Sequence, residues 1–155
     1  MPSHGIDEEE KPCRACTDFK TWAKKQNRVT SPSPSKQDIP KRTDCPLDKD
    51  ELGRSSWGFL HSMASYFPEK PTHSQSSDMA RFFNIFAQFY PCEPCALDFQ
   101  EDIKKNPPKT SSRDELAKWL CERHNTVNVK LGKPKFDCSK VHERWRDGWL
   151  DGSCD

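Results

Sequence analysis

The pattern of apolar and polar positions is helical over most of the second half of the chain. Apolar residues recur every three or four positions over residues 48–67, a range that opens with Asp48 and Glu51, the spacing of a capping box. A helix there would end at Pro68, because proline disfavours helical backbone in the residue before it. The pattern therefore predicts a first helix over residues 48–67.

The same periodicity predicts further helices. Residues 72–90 carry a wide apolar stripe, typical of a helix with one face buried, and residues 92–105 form a third helix with prolines near its first turn. A fourth helix follows Ser112 and is closed by Gly132, and residues 137–148 form a short fifth. No stretch alternates with period two for long enough to predict a strand. The expected fold class is all-α, a four-helix bundle plus a short fifth helix.

Composition separates this bundle from the start of the chain. Residues 1–44 are polar and charged, and "TSPSPSKQDIPKR" is rich in proline and serine. Such a segment buries too little apolar surface to offset the entropy lost on ordering. We therefore expect a flexible, largely disordered tail over residues 1–44 and one folded domain over residues 45–155.

Charge and hydropathy exclude some functions. The formal net charge is +1, from 25 basic and 24 acidic residues, so the electrostatic footprint of a nucleic-acid-binding protein is missing. No apolar run reaches the roughly 18–20 residues of a membrane span, and the opening "MPSHGIDEEE" is acidic, unlike a targeting segment. We expect neither nucleic-acid binding nor membrane insertion.

Eight cysteines in 155 residues indicate an oxidising compartment or redox chemistry. In "FYPCEPC", Cys92 and Cys95 lie at the predicted start of the third helix, where the helix dipole stabilises a thiolate. Ala96 follows this pair, which excludes haem attachment, and a thioredoxin-like fold would need strands around it. A zinc half-site remains a weaker alternative, because the other CxxC is far away in sequence.

The fourth helix carries a polar stripe at helical spacing: Cys121, His124, Asn125 and Asn128. One interpretation is an ordinary solvated face. The other is a site for a heteroaromatic ring, with stacking surface from Trp57, His61 and Tyr66 of the first helix.

Four motifs in order resemble the Erv/ALR family of FAD-linked sulfhydryl oxidases: "CPLDKDELGRSSWGFLHSMASYFP", "FYPCEPC", "WLCERHNTVNVKLGKPKFDCSKV" and "ERWRDGWLDGSCD". The resemblance covers about residues 44–155, and "RACTDFKTW" is similar to the shuttle-bearing segment of the family's long forms. It implies a helical FAD-binding homodimer that oxidises protein dithiols. The electrons would pass to oxygen, giving hydrogen peroxide, or to cytochrome c.

The resemblance also implies roles for individual residues. Cys92 and Cys95 become the catalytic pair, with Cys95 facing the flavin and Cys92 exchanging with the incoming thiol. The implied FAD-binding residues are Gly53, Arg54, Trp57, His61, Tyr66, Cys121, His124, Asn125, Val127, Asn128, Lys130, Leu131, Lys133, Arg144 and Trp145.

The other cysteines are paired by the same resemblance. It implies a structural disulfide between Cys121 and Cys138 and a disulfide between subunits formed by Cys45 and Cys154.

Cys13 and Cys16 would be a shuttle disulfide on the flexible tail, behind a linker richer in proline than we expect for the family. The implied substrate is an import oxidoreductase of the mitochondrial intermembrane space. A cytosolic or secreted pool stays open, as do two rival functions, a disulfide-stapled binding module and a zinc-bound adaptor. The resemblance implies no metal.

Overall fold

The computed structural model describes residues 42–154, so Cys13, Cys16 and the predicted tail up to residue 41 lie outside the described residues. Four α-helices follow one another: α1 (Lys49–Ser65), α2 (His73–Phe89), α3 (Glu93–Lys105) and α4 (Arg113–Lys130). After them comes a C-terminal segment, residues 138–147, built from a 3-10 turn (Cys138–Lys140) and a π-helical turn (Glu143–Asp147). Residues 42–154 contain no strand, and the predicted all-α class is confirmed.

Side-chain caps fix where the helices begin. The Asp48 carboxylate accepts from the backbone N–H of Glu51, and the Glu51 carboxylate accepts in return from the N–H of Asp48, which is the predicted capping box. Thr72 and Gln75 form a second capping box at α2. The first helix was predicted over residues 48–67, whereas α1 begins one residue later, after its N-cap Asp48, and ends two residues earlier, at Ser65 ahead of Pro68.

The core lies where the helices pack in pairs. α1 packs against α4 and against the C-terminal segment, while α2 packs against α3. Phe83 of α2 meets Trp119 of α4 edge to face at 4.9 Å, so an aromatic contact joins the two pairs. The buried core consists of Leu60, Ala64, Phe67, Phe83, Ala87, Ile103, Leu116, Trp119 and Leu120.

A polar contact holds α3 against the bundle, and an apolar one holds the C-terminal segment. The Arg123 guanidinium donates to the Asp102 carboxylate at 2.9 Å, which ties α4 to α3 through a largely buried ion pair. Val141 packs beside Ala117 and Cys121, and thereby anchors the C-terminal segment on α4. The predicted fifth helix is present but irregular, and it ends at Gly148, whose φ of 85° favours glycine. No helix within residues 42–154 has the length and apolarity needed to span a membrane.

Candidate active site

A cavity of about 1070 Å³ lies between α1, α4, the C-terminal segment and the start of α3. Its volume is slightly above the usual range for ligand pockets, roughly 300–1,000 Å³. Fourteen of the fifteen residues expected to bind a cofactor line it: Gly53, Arg54, Trp57, His61, Cys121, His124, Asn125, Val127, Asn128, Lys130, Leu131, Lys133, Arg144 and Trp145. Residues far apart in sequence thus come together because α1 packs on α4.

Tyr66 is the expected cofactor-binding residue that the cavity lining does not include. It caps the C-terminus of α1, and 67% of its surface is exposed. Trp57 and His61 are four residues apart and share one face of α1, whereas Tyr66 follows Trp57 by nine residues, a rotation of about 180°. The structure thus places Tyr66 away from the cavity that the other expected residues line.

The lining also contains residues that the sequence patterns assigned elsewhere. Phe86 and Tyr90 belonged to the predicted apolar stripe of the second helix, yet they reach the cavity, as do Asp98 and Phe99 of α3. Helical spacing offered a signal for the last two, because positions three and four residues after Cys95 lie on the same face. The prediction did not use that signal.

Four rings that line the cavity form two stacked pairs, which we call the ring wall: Trp57, His61, His124 and Trp145. Trp57 stacks on His124 with centroids 4.1 Å apart and planes inclined by 4°. His61 stacks on Trp145 at 4.7 Å and 5°. Stacked pairs at both ends fix the orientation of the two imidazoles, so the ring wall presents flat aromatic surface to the cavity.

The two imidazoles of the ring wall are hydrogen-bonded to each other, with 2.8 Å between His61 Nε2 and His124 Nδ1. Burial, reinforced by His124 and the positive charge of Arg144, lowers the pKa of His61 to about 3. Burial and the neighbouring Lys133 lower the pKa of His124 to about 4. Both rings are therefore neutral at pH 7, and the pair contains one N–H on each ring.

The asparagines of the predicted polar stripe have different tasks. The Asn125 amide donates to the carbonyl of Phe136 at 2.8 Å and accepts from the N–H of the same residue at 2.8 Å. Asn125 is thus committed to fastening the loop that leads into the C-terminal segment. The Asn128 amide donates to the side-chain oxygen of Asn125 at 3.3 Å, and Asn128 also lines the cavity.

The first disulfide of the described residues joins Cys92 and Cys95, with Cα atoms 5.3 Å apart, at the start of α3. Cys92 is the N-cap of this helix, as the sequence predicted, and only 1% of its surface is exposed. Cys95 lines the cavity. A helix N-terminus stabilises a thiolate formed when such a bond opens, because its N–H groups and dipole favour negative charge.

The second disulfide joins Cys121 of α4 to Cys138 of the C-terminal segment. Cys121 is buried with Ala117 and Val141, so the bond reinforces an apolar contact between the two elements. Cys45 and Cys154 are both exposed thiols.

Positive charge collects around the rest of the cavity. Lys49, Arg54, Lys130, Lys133 and Arg144 all line it, against the carboxylates of Asp50 and Asp98. The guanidinium carbon of Arg144 lies 4.2 Å from the centroid of the Trp145 ring. Lys130 Nζ forms an ion pair with the Asp98 carboxylate at 2.5 Å, which joins α4 to α3. Such a lining suits an anionic ligand with aromatic rings. Among residues 42–154 no group of His, Cys, Asp or Glu side chains is arranged to hold a metal ion.

Residues 54–146 match the model of the Erv1 / Alr family. The mitochondrial FAD-linked sulfhydryl oxidase ERV1 of Saccharomyces cerevisiae is 53% identical over 104 residues, covering 67% of this chain and 55% of the yeast protein. The mitochondrial FAD-linked sulfhydryl oxidase erv1 of Schizosaccharomyces pombe is 41% identical over 154 residues, covering 85% of each. The chain thus spans little more than half the length of the first of these relatives.

Solved structures agree with the fold. The crystal structure of the FAD-binding domain of Erv1 from Saccharomyces cerevisiae superimposes with a TM-score of 0.65 at 52% sequence identity. The superposition covers 67% of this chain and 99% of that domain.

Proposed function

The chain belongs to the Erv1/Alr family, and from this membership we propose that it is an FAD-linked sulfhydryl oxidase that generates disulfides. The observation that carries the proposal is the position of Cys92–Cys95. This disulfide begins a helix and has one sulfur-bearing residue, Cys95, in the wall of a large aromatic and cationic cavity. A redox pair in that position is adjacent to whatever the cavity binds.

The cavity suits FAD in size and in chemistry. Its ring wall offers stacking surface for flat heteroaromatic rings, and its basic residues match a diphosphate. Relatives of the chain are named FAD-linked oxidases. We propose that Trp57, His61, His124 and Trp145 hold the rings and that Arg54, Lys130, Lys133 and Arg144 hold the charged groups. When bound, FAD would supply the two-electron acceptor for the dithiol and pass the electrons to oxygen or cytochrome c.

The cysteines supply the thiol chemistry. An incoming protein dithiol would exchange with the disulfide at Cys92, so that the substrate leaves as a disulfide and Cys92 and Cys95 remain as a dithiol. Reoxidation of this pair releases two electrons and two protons, which reduce oxygen to hydrogen peroxide when oxygen is the acceptor. The α3 N-terminus favours the thiolate form that exchange requires. Because Cys92 is 1% exposed, exchange requires the side chains that cover it to move.

We further propose that Cys13 and Cys16, which lie outside the described residues, relay electrons from the substrate to Cys92–Cys95. A tethered CxxC has a high effective concentration at the site it serves, in the range of about a millimolar for short flexible linkers. The proline-rich linker would lengthen its reach and favour transfer to the partner subunit over transfer within one chain. The expected substrate is an import oxidoreductase of the intermembrane space.

A homodimer is part of the same proposal. Cys45 and Cys154 are exposed thiols, which is what a disulfide between subunits requires. The outer side of α2 also exposes large apolar side chains, with Ile85 and Phe89 beside a groove that ends at Pro91. Apolar surface of this kind is typical of a face that another chain covers. Relatives with mitochondrial names support a mitochondrial location, and the intermembrane space is our proposal within it.

The first experiment is a visible absorption spectrum of the purified full chain, recorded before and after dithiothreitol is added in air. We expect a yellow protein that bleaches and recovers while peroxide accumulates. A colourless chain that cannot be reconstituted with FAD would contradict the proposal and favour a disulfide-stapled binding module. Stoichiometric zinc with reduced thiols would instead favour the adaptor.

A further inference from the structure

The surroundings of His61 and His124 determine which of the two imidazoles donates the hydrogen bond between them. His61 is 2% exposed, and its Nδ1 atom is buried without a hydrogen-bond partner among residues 42–154. Its other nitrogen, Nε2, lies 2.8 Å from His124 Nδ1. Stacking on Trp145 and Trp57 restrains the planes of both imidazoles, and the hydrogen bond between them joins Nε2 of one ring to Nδ1 of the other.

Each ring is neutral, because burial and the nearby charges of Arg144 and Lys133 oppose protonation. A neutral imidazole has one N–H, so only two arrangements make the hydrogen bond. If His124 donated from Nδ1, His61 would have its proton on the buried Nδ1, an N–H with no acceptor. If His61 donates from Nε2, its Nδ1 is merely an unpaired acceptor, and buried acceptors tolerate this better than buried N–H groups.

We infer that His61 is a positioning residue that fixes His124 as the tautomer protonated on Nε2, so that His124 presents an N–H donor to the cavity. His124 Nδ1 accepts the hydrogen bond from His61, which leaves Nε2 as the protonated nitrogen of a ring that lines the cavity. The cavity would therefore select a ligand with a hydrogen-bond acceptor at this point. That the acceptor is a ring nitrogen or carbonyl oxygen of FAD rests on the proposed function.

The direct test is a ¹⁵N–¹H correlation spectrum of the full chain, purified with its native flavin and labelled at histidine nitrogens. We expect His124 Nε2 at the shift of a protonated nitrogen and His124 Nδ1 at that of an unprotonated one. The reverse order, or averaged shifts at both nitrogens, would overturn the inference. If the chain contains no flavin, the proposed function fails, but the His124 shifts still determine the tautomer.

Substitutions separate positioning from packing. His61→Phe keeps a ring for Trp145 to stack on but removes the donor, so we expect averaged His124 nitrogen shifts and an FAD dissociation constant raised about tenfold, the effect of one lost hydrogen bond. His61→Gln restores an amide donor near the position of Nε2, and we expect it to recover the His124 shifts and most of the affinity. Unchanged His124 shifts in His61→Phe, or no recovery in a folded His61→Gln protein, would contradict the role.

A matched control is available elsewhere in the chain. His142 also has a buried Nδ1 without a hydrogen-bond partner among residues 42–154. Its Nε2–H donates to the Asp114 carboxylate at 2.8 Å, and His142 does not line the cavity. His142→Gln should leave the His124 shifts and the FAD dissociation constant unchanged. An effect as large as that of His61→Phe would mean that loss of any such histidine disturbs the site, and it would overturn the inference.

Discussion

Cys92–Cys95 and Cys121–Cys138 differ in what they join. The first closes a separation of 3 residues at the beginning of a single helix, and one of its members lines the cavity. The second closes a separation of 17 residues and links α4 to the C-terminal segment inside a buried cluster. The C-terminal segment also contains Trp145, which stacks on His61, so this bond holds part of the ring wall in place.

The difference indicates how one protein can use the same bond for chemistry and for structure. A disulfide restricts the unfolded chain more as its loop lengthens, so the short loop adds less stability than the long one. Opening Cys92–Cys95 leaves α3 attached through its core contacts and its ion pair to Arg123. The bond expected to open in every turnover is therefore the one whose loss costs the fold least.

The largest effect is expected from Cys95→Ser. The variant removes the sulfur at the cavity wall, so a dithiol formed by exchange cannot be reoxidised there, and we expect turnover to fall on the order of 1000-fold. Flavin absorbance and thermal stability should change little, because α3 stays packed. Oxygen consumption with dithiothreitol measures the rate.

Cys45→Ser is the matched control for Cys95→Ser, since it removes an exposed thiol outside the cavity. It should retain the wild-type rate with a small dithiol. Comparable rates in Cys95→Ser and the control would refute the catalytic role of Cys95.

The next effect is on stability. Replacing both Cys121 and Cys138 by serine should lower the free energy of unfolding by about 3 kcal/mol, the loop-entropy value for a closure of this length. The double replacement of Cys92 and Cys95 should lower it by about 1.5–2 kcal/mol in the same model, because the loop is short. Urea unfolding with excess FAD compares the two. Equal losses would remove the distinction between a structural and a redox disulfide.

Much of the fold followed from local chemistry in the sequence. Asp48 with Glu51 and Pro68 bracketed the first helix because caps and prolines act on neighbouring residues only. The C-terminal segment was less predictable. Its π-helical turn ends at Gly148, and its course depends on Val141 packing against α4, a contact between residues distant in sequence.

The candidate site, too, was predictable from the sequence only in part. Helical spacing correctly grouped His124 with Asn125, but it gave no sign that Asn125 is committed to the backbone of Phe136, since that contact depends on how a loop folds back. Tyr66 lies apart from the other expected residues, because a resemblance of motif does not report the direction of a side chain beyond the end of a helix. The stacking of Trp145 on His61 joins residues 84 positions apart in the chain and was beyond any local pattern.

The ring wall, which includes Trp145 and His61, should also make the fold acid-sensitive. We expect the free energy of unfolding to fall by about 2 kcal/mol on acidification. Folding lowers the pKa of His61 to about 3, so the unfolded chain binds more protons below about pH 6.5 and stability falls with pH there. Between pH 7 and pH 5, one such group lowers the free energy of unfolding by about 2 kcal/mol, because the slope approaches roughly 1.4 kcal/mol per pH unit below the unfolded pKa.

Urea unfolding of the flavin-free chain at pH 7 and pH 5 measures this loss. His61→Gln should be less pH-sensitive than the wild type by about 2 kcal/mol over the interval, because glutamine does not titrate. His124, which is less buried and has its pKa lowered to about 4, should account for part of the remaining loss. If His61→Gln and the wild type lose equal stability, the buried neutral histidine is not the cause.

The smallest effect concerns how α3 is held near its redox end. Where Cys121–Cys138 fastens α4 covalently, Asp98 fastens α3 through an ion pair with Lys130, and both side chains are about half exposed. Exposed pairs of this kind contribute about 0.2–1 kcal/mol, so Asp98→Asn should cost about 0.5 kcal/mol in urea unfolding at low salt and less at high salt. Glu101→Gln, which affects the longer and more exposed pair with Lys105 on the same helix, should cost less. Asp98→Asn could instead lose nearly the roughly 3 kcal/mol expected for the structural disulfide. In that case α3, too, would depend on one specific link. The contrast between α3 and the region joined by Cys121–Cys138 would then have to be abandoned.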